Sequence, residues 1–576
     1  MKALFYGGYM SLCKEQAISE DYADFIIRHL SPFPESIYSI ENICSVPLAL
    51  NHNCVYAPLE KVLPLSINKY PYASIPSLYT VESTAPLEAS GILRLQNQPF
   101  LNLKGQGTLI GIVDTGIDYT HEAFIDSFGN SKIESIWDQT NNNGTPPIGQ
   151  NYGTEYTNSL INAALGMDNP RELVPVTDEN GHGTFLAGVA CGSENIAEGF
   201  IGAAPEARLV VVKLKPAKQY LRNYYFVKDD SICYQENDIM FAISYLLEKQ
   251  LSLNMPMSII IGLGSSRGEH NGSSNLSFLL NRLTEDTNCA ICVSMGNEGN
   301  KRLHFQGNII NNTISDTIEL RIDSRQKGVY MEIWGDNPQV FSISVTSPTG
   351  EVLNRIPPRL NASENYTFLF EQTVLQVEYK LVEPYSGSEL ILLRFINPTA
   401  GLWQINVYGE YNIAGTFNSW LPISLLLYED TYFLRSSPYI TLTNPASSLG
   451  PISVSTYNSF TNSIYFASSR GYNKNGTIKP DICSPGVNIT GPRVGGGYTV
   501  GTGSSLAAAL TAGAAALFQT WGIVKGNNME LKNSNIKSYM IRGATRQNNM
   551  PYPNEEWGYG ALNIYDSFEV MRGNIT

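Results

Sequence analysis

Apolar residues fall into two rhythms along the 576-residue chain. From about residue 108 to 300, runs that are apolar almost throughout, Thr108–Val113, Arg208–Lys213, Ser258–Gly262 and Cys289–Val293, alternate with helical stretches such as Asp238–Lys249. Strands apolar on both faces belong inside a parallel sheet covered by helices, so this rhythm predicts an α/β domain. Between about 302 and 440 the pattern changes to short β-rich segments, Thr317–Ile322, Val329–Trp334, Val340–Val345, Thr373–Leu381, Glu389–Phe395 and Trp403–Tyr408. Gly, Pro and Asn lie between several of them, which predicts an all-β sandwich. After about 441 the α/β rhythm returns. The first 84 residues mix a helix-like segment, Glu20–Leu30, with short strands, Ile37–Ser45 and Asn53–Leu63, and end on a proline-bearing extended linker, Tyr70–Tyr79. The division is therefore a small α+β module over 1–84, an α/β domain over 85–301 and 441–576, and a β domain inserted at 302–440.

Composition narrows the class. With 43% hydrophobic and 16% charged residues the chain is an ordinary globular protein. Its net charge of −14 argues against nucleic acid and against an anionic membrane surface. No apolar run approaches the roughly 20 residues of a membrane span, and the first residues lack the apolar core of a secretory signal. That start points to an intracellular protein. The eight cysteines are dispersed and suit a reducing compartment. Cys289 and Cys292 have CxxC spacing inside an apolar run but no partner pair, so a metal or redox role is not expected of them.

Four short stretches carry candidate chemistry. Ile110-Gly-Ile-Val-Asp-Thr-Gly-Ile-Asp118 puts Asp114 at the C-terminal end of a strand, where open parallel sheets bind ligands. Asp178-Glu-Asn-Gly-His-Gly-Thr-Phe-Leu-Ala-Gly188 puts His182 between glycines at the head of an apolar helix, a poor place for a packing residue. Met295-Gly-Asn-Glu-Gly-Asn300 presents Asn297 after a buried strand. Val500-Gly-Thr-Gly-Ser-Ser-Leu-Ala-Ala-Ala-Leu-Thr-Ala-Gly513 presents a serine on a glycine turn ahead of a helix of small residues. The helix N-terminus there favours developing negative charge. Singly, each has a plainer reading as a cap, an exposed turn or a core helix.

In chain order these give Asp114, His182, Asn297 and a serine, and in that order the chain resembles the subtilisin-like serine proteases. Gly262-Leu-Gly-Ser265 and Lys479-Pro-Asp-Ile-Cys-Ser-Pro-Gly486 resemble the family as well. The family usually carries Gly-Thr-Ser-x-Ala, whereas this chain has Gly503-Ser-Ser-Leu-Ala507, so Ser504 and Ser505 compete. The small residue two positions on, Ala507, selects Ser505. The resemblance implies a Ser505 nucleophile, a His182 general base, Asp114 orienting the ring, Asn297 holding the oxyanion, and residues Gly262, Leu263, Gly264 and Ser265 pairing with an extended polypeptide substrate.

Within the family the chain is most similar to the clostridial spore-germination (Csp) proteases. The short N-terminal module, Leu101-Asn-Leu-Lys-Gly-Gln-Gly107, the β insertion and Gln519-Thr-Trp-Gly-Ile-Val-Lys-Gly526 carry this likeness. It implies a jelly-roll insertion, an autocatalytically cleaved prodomain that stays bound, and limited proteolysis of a protein precursor such as a cortex-hydrolase zymogen. Cleavage is expected at Thr84–Ala85, with Leu78–Thr84 lying in the substrate groove by strand addition. The rival readings are a catalytically silent pseudoprotease acting as a scaffold, and an esterase or amidase. No cofactor is expected. Many relatives bind calcium, but no acidic loop has the ligand spacing, and Asp118 and Glu122 are candidates by position only.

Overall fold

The both-face-apolar runs assemble into one nine-stranded sheet that runs, from edge to edge, through Ser463–Ile464, Ile452–Asn458, Cys289–Ser294, Met257–Ile261, Leu109–Asp114, Arg208–Lys213, Ile133–Asp138 and Thr154–Thr157, with Ile482–Pro485 also pairing Ile452–Asn458. Pairing is parallel except where Ser463–Ile464 and Thr154–Thr157 join at the ends. This is the computed structural model of the chain, and it describes residues 13–28, 34, 37, 40–48, 51–81, 90–96, 102–309, 315–360, 362–410 and 415–572. Side-chain alternation sends Ile110, Ile112, Leu209 and Val211 to one face, and Leu109, Val113, Val210 and Val212 to the other. The first face is covered by the helices His182–Cys191 and Ser504–Gln519, the second by Glu236–Leu253 and Asn275–Asp286. The histidine and the serine thus ride on helices packed against the same side of the sheet. Alanines at 507 to 509 let the serine helix lie close to the strands, and all of its residues are buried.

The Ser504–Val524 stretch is long and apolar enough to cross a membrane, which corrects the expectation that no run comes near that length. Its apolar window is 83% buried against the sheet, as a core helix built of small residues should be.

Residues 304–433 form two antiparallel sheets. One runs His304–Ile309, Gly415–Trp420, Gly328–Gly335, Glu389–Ile396, Val374–Lys380 and Ser363–Thr367. The other runs Val352–Ile356, Phe341–Thr346, Gly401–Gly409, Ser315–Ile322 and Tyr432–Phe433. Ile318, Leu320, Ile333, Val345, Leu393 and Trp403 from both sheets meet in one core between them.

The N-terminal module departs from its sequence reading. Tyr22–Arg28, inside the segment expected to be helical, is a strand. It pairs antiparallel with His52–Pro58, which in turn pairs with Cys44–Pro47. The reason is that both faces of this small sheet are covered. Ala23, Phe25 and Ile27 pack with Tyr220 and Leu221 and with Trp334 and Trp420 of the insertion. Ile26 packs toward the helix Glu236–Leu253 through Ile239 and Tyr245. A period of two carries those two burials and a period of 3.6 does not. The expected strand over Ile37–Ser45 begins only at Cys44, and the one over Asn53–Leu63 ends at Pro58, where a short helix, Leu59–Val62, takes over.

The cysteine expectation also needs correction. Cys13 and Cys44 form a disulfide that ties the first helix, Lys14–Ile18, to the edge strand. The six other cysteines are buried free thiols. Cys289 and Cys292 face opposite cores, so the CxxC spacing makes no pair.

Candidate active site

Asp114 ends the strand Leu109–Asp114 in the middle of the sheet and is fully buried. His182 is the first residue of its helix, and Ser505 the second of its own. His182 Nδ1 lies 2.8 Å from Asp114 Oδ1, and His182 Nε2 lies 2.9 Å from Ser505 Oγ. Those three side chains, distant in sequence, form one hydrogen-bonded line. With Nδ1–H donating to the carboxylate, the lone pair of Nε2 faces the serine hydroxyl, the tautomer a general base needs. Ser504 has a different place: its backbone N–H donates to Asn297 Oδ1 at 3.2 Å. That bond fixes the Asn297 amide by its oxygen and leaves Nδ2 as the donor for a ligand.

Close approach explains two glycines. A Cβ on Gly262 would sit 3.0 Å from Ser505 Cβ and 3.4 Å from His182 Cε1, tighter than ordinary contact, so glycine lets the strand end lie beside the His182–Ser505 pair without displacing it. A Cβ on Gly183 would meet Gly116 O at 2.2 Å, so the histidine helix can dock on the loop after Asp114 only as glycine.

The segment that follows Gly262 is already engaged. Leu263 and Gly264 pair antiparallel with Val81 and Thr80, and on the other side Tyr234 and Gln235 pair with Tyr79 and Leu78. The segment Leu78–Val81 is therefore the middle strand of three. Tyr79 is fully buried. Ser265, expected to bind substrate with its neighbours, instead exchanges backbone hydrogen bonds with Asn444, at 3.1 and 2.8 Å. Thr84 and Ala85 lie outside the described residues.

Sequence reasoning missed the groups that hold this arm. Arg267 donates from Nη1 to Ile75 O at 2.8 Å and from Nη2 to Tyr72 O at 2.9 Å. Tyr72 donates to Glu332 of the insertion at 2.8 Å. Glu236 accepts from the N–H groups of Ser77 and Leu276, and burial pushes its carboxyl pKa up. Tyr234-Gln235, directly ahead of a helix, gave no periodic signal of a strand. That pairing partner was invisible.

The positions considered for calcium are otherwise engaged. Asp118 Oδ1 accepts from Thr120 Oγ1 at 2.7 Å and from Arg171 at 3.3 Å, and Asp118 Oδ2 accepts from Gly495 N–H at 2.8 Å. Glu122 Oε1 accepts from Asn195 Nδ2 at 2.7 Å. Among the described residues no three His, Cys, Asp or Glu side chains are grouped as a metal site requires.

Comparison with known proteins supplies the context. The subtilase family profile matches residues 105–350 and 438–560. A PII-type proteinase of Lacticaseibacillus paracasei is 24% identical over 72% of this chain, and the match spans 22% of that longer protein. The subtilisin-like protease SBT3.6 of Arabidopsis thaliana is 24% identical over 77% of this chain and 60% of its own length. The chain thus spans about a fifth of the first relative and well over half of the second. Among solved structures, the CspB protease of Clostridium perfringens is 31% identical, with a TM-score of 0.76 over 84% of this chain and 97% of that one.

Proposed function

Because this chain belongs to the subtilase family of serine endopeptidases, we propose that Ser505, His182 and Asp114 hydrolyse peptide bonds through an acyl-enzyme, first in the chain's own N-terminal arm. Ser505 Oγ attacks the carbonyl carbon while His182 Nε2 takes its proton and then delivers it to the leaving amine. Asp114 accepts from Nδ1–H throughout and stabilises the imidazolium. Asn297 Nδ2 and the Ser505 N–H hold the oxyanion. Water attacks the acyl-enzyme by the same route in reverse. The observation that carries this reading is the Asp114–His182–Ser505 line at 2.8 and 2.9 Å beside a glycine-lined strand.

The N-terminal module is a prodomain in this reading, and the β insertion a jelly roll that helps retain it. Support comes from Leu78–Val81, an extended strand between both walls of the cleft, as a substrate would be. Val81 pairs with Leu263, the residue next to Gly262, so the bond that is cut lies within the next few residues. Thr84–Ala85 is the bond we propose. After cleavage the module stays in place through its buried apolar faces and the Arg267 and Glu332 contacts. From the resemblance of its motifs to the Csp type, the further substrate we propose is a protein precursor, such as a cortex-hydrolase zymogen, cut at one or a few sites.

A fluorophosphonate probe tests the chemistry. Wild type should label on Ser505 and Ser505→Ala should not. Equal labelling of both would remove Ser505 as nucleophile, and no labelling of either would favour a catalytically silent scaffold.

A further inference from the structure

The geometry points to a second carboxylate, Asp178, acting with Thr115 as the pair of positioning residues that hold Asp114 and His182 in register. This rests on the peptidase reading above. Asp178 lies four residues ahead of His182, is 1% exposed, and touches neither the catalytic ring nor the serine in any bond described. Both of its oxygens are doubly engaged. Oδ1 accepts from Thr115 Oγ1 at 2.7 Å and from Gly181 N–H at 2.9 Å. Oδ2 accepts from Thr184 N–H at 2.8 Å and from Thr184 Oγ1 at 2.7 Å. One buried carboxylate therefore grips the loop after Asp114 and the first turn of the histidine helix together.

Thr115 completes the link. Its N–H donates to Asp114 Oδ1 at 2.8 Å, the same oxygen that faces His182 Nδ1. Its hydroxyl donates to Asp178 and accepts from Gly183 N–H at 2.9 Å. Thr184, held by Asp178, accepts in turn from Asp118 N–H at 2.9 Å. The backbones that carry the acid and the base are thus fastened on both sides of His182. The glycine at the helix N-cap has no side chain to satisfy the first-turn N–H groups, and Asp178 supplies that acceptor from outside the helix. Charge-assisted bonds of this kind are short and directional. Rate is sensitive to their loss, because a displacement of about 1 Å in a reacting group costs on the order of 10²-fold.

The test compares Thr115→Val, Thr115→Ser and Asp178→Asn with wild type on dye-quenched casein, using fluorophosphonate titration to count active Ser505 and thermal melts to establish folding. Thr115→Val keeps the shape and loses the hydroxyl. We expect its kcat to fall about 10- to 100-fold with KM within about twofold, and Thr115→Ser to return kcat to within about threefold of wild type. Asp178→Asn puts an amide NH2 against donors and should lose at least as much kcat. If Asp178→Asn does not fold, the threonine pair decides alone. A kcat within twofold of wild type in folded Thr115→Val, a loss confined to KM, or no recovery in Thr115→Ser would overturn the assignment. Wild type that takes no fluorophosphonate would overturn the peptidase reading, and this assignment with it.

Discussion

Asp178, beside the triad, and three buried glutamates of the β insertion are treated differently by the fold. Asp178 accepts four hydrogen bonds, whereas Asp114 is bonded on Oδ1 by His182 and Thr115 and buries an Oδ2 that has no partner among the described residues. In the insertion, Glu378, Glu383 and Glu389 each bury an oxygen, Oε1, that has no partner among the described residues. Burial pushes all three pKa values up, that of Glu389 to about 8. Glu378 meets the N-terminal arm through Ser66 Oγ at 2.6 Å, whereas Glu389 accepts Phe341 N–H at 2.9 Å inside the insertion. Beside the triad, Asp178 is satisfied on both oxygens and Asp114 is held on the oxygen that faces His182. The insertion carries carboxyl groups that favour the neutral form, so rising pH should act on the insertion and its hold on the arm.

The largest effects should come from the centre. Ser505→Ala or His182→Ala should reduce proteolysis by about 10⁴-fold or more, read as casein hydrolysis and as arm cleavage. Asn297→Ala should lose about 10²–10³, the cost of the corresponding donor in a subtilisin and so a transferred figure. If Asn297→Ala lost less than threefold, the oxyanion would be held elsewhere.

Next comes the arm. Arg267→Ala removes the donors to Ile75 and Tyr72 and leaves Glu332 buried without its cation, 3.7 Å away in the native pair. Breaking such a pair costs about 3–5 kcal/mol. The N-terminal fragment should then separate from the rest on gel filtration after cleavage, while it co-elutes in wild type. Co-elution from the variant would show that the apolar faces alone retain the module.

Glu389 gives the pH effect a sign. Its folded pKa of about 8 lies above the usual carboxyl value, so its contribution to stability is full below about pH 4.5 and is lost as pH rises through 8. Glu389→Gln should therefore melt higher than wild type at pH 8.5, by the equivalent of about 2–4 kcal/mol, with the gap closing toward pH 5. A gap that widened toward acid would reverse the assignment. The smallest effect belongs to the exposed pair of Lys327 and Asp229: Lys327→Ala should leave the melting temperature and activity unchanged.

Local signals made the centre legible. Asp114, His182, Asn297 and the serine each sit in a glycine-marked stretch where a strand ends or a helix begins, and the both-face-apolar runs set the parallel sheet around them. What escaped depends on partners far along the chain. Tyr72 meets Glu332 across 260 positions, and neither residue sits in a motif. Tyr22–Arg28 looked helical because Asp24 interrupts its apolar run, yet Asp24 is buried against Lys218, Gln235 and Asn237 of the catalytic domain. The strands His304–Ile309, Ser363–Thr367 and Gly415–Trp420 were passed over because polar residues and glycines break their alternation. The cysteine pair 13 and 44 carries no spacing signature, and only the packing of the first helix on the small N-terminal sheet brings the two together.

The central claim is that the triad cuts the arm lying in its own cleft, and the intact mass of purified wild type beside Ser505→Ala tests it most directly. Two wild-type fragments dividing shortly after Val81, at Thr84–Ala85 in the proposed case, with the variant whole, are the predicted result. Both proteins at full length, or both cleaved alike, would contradict it.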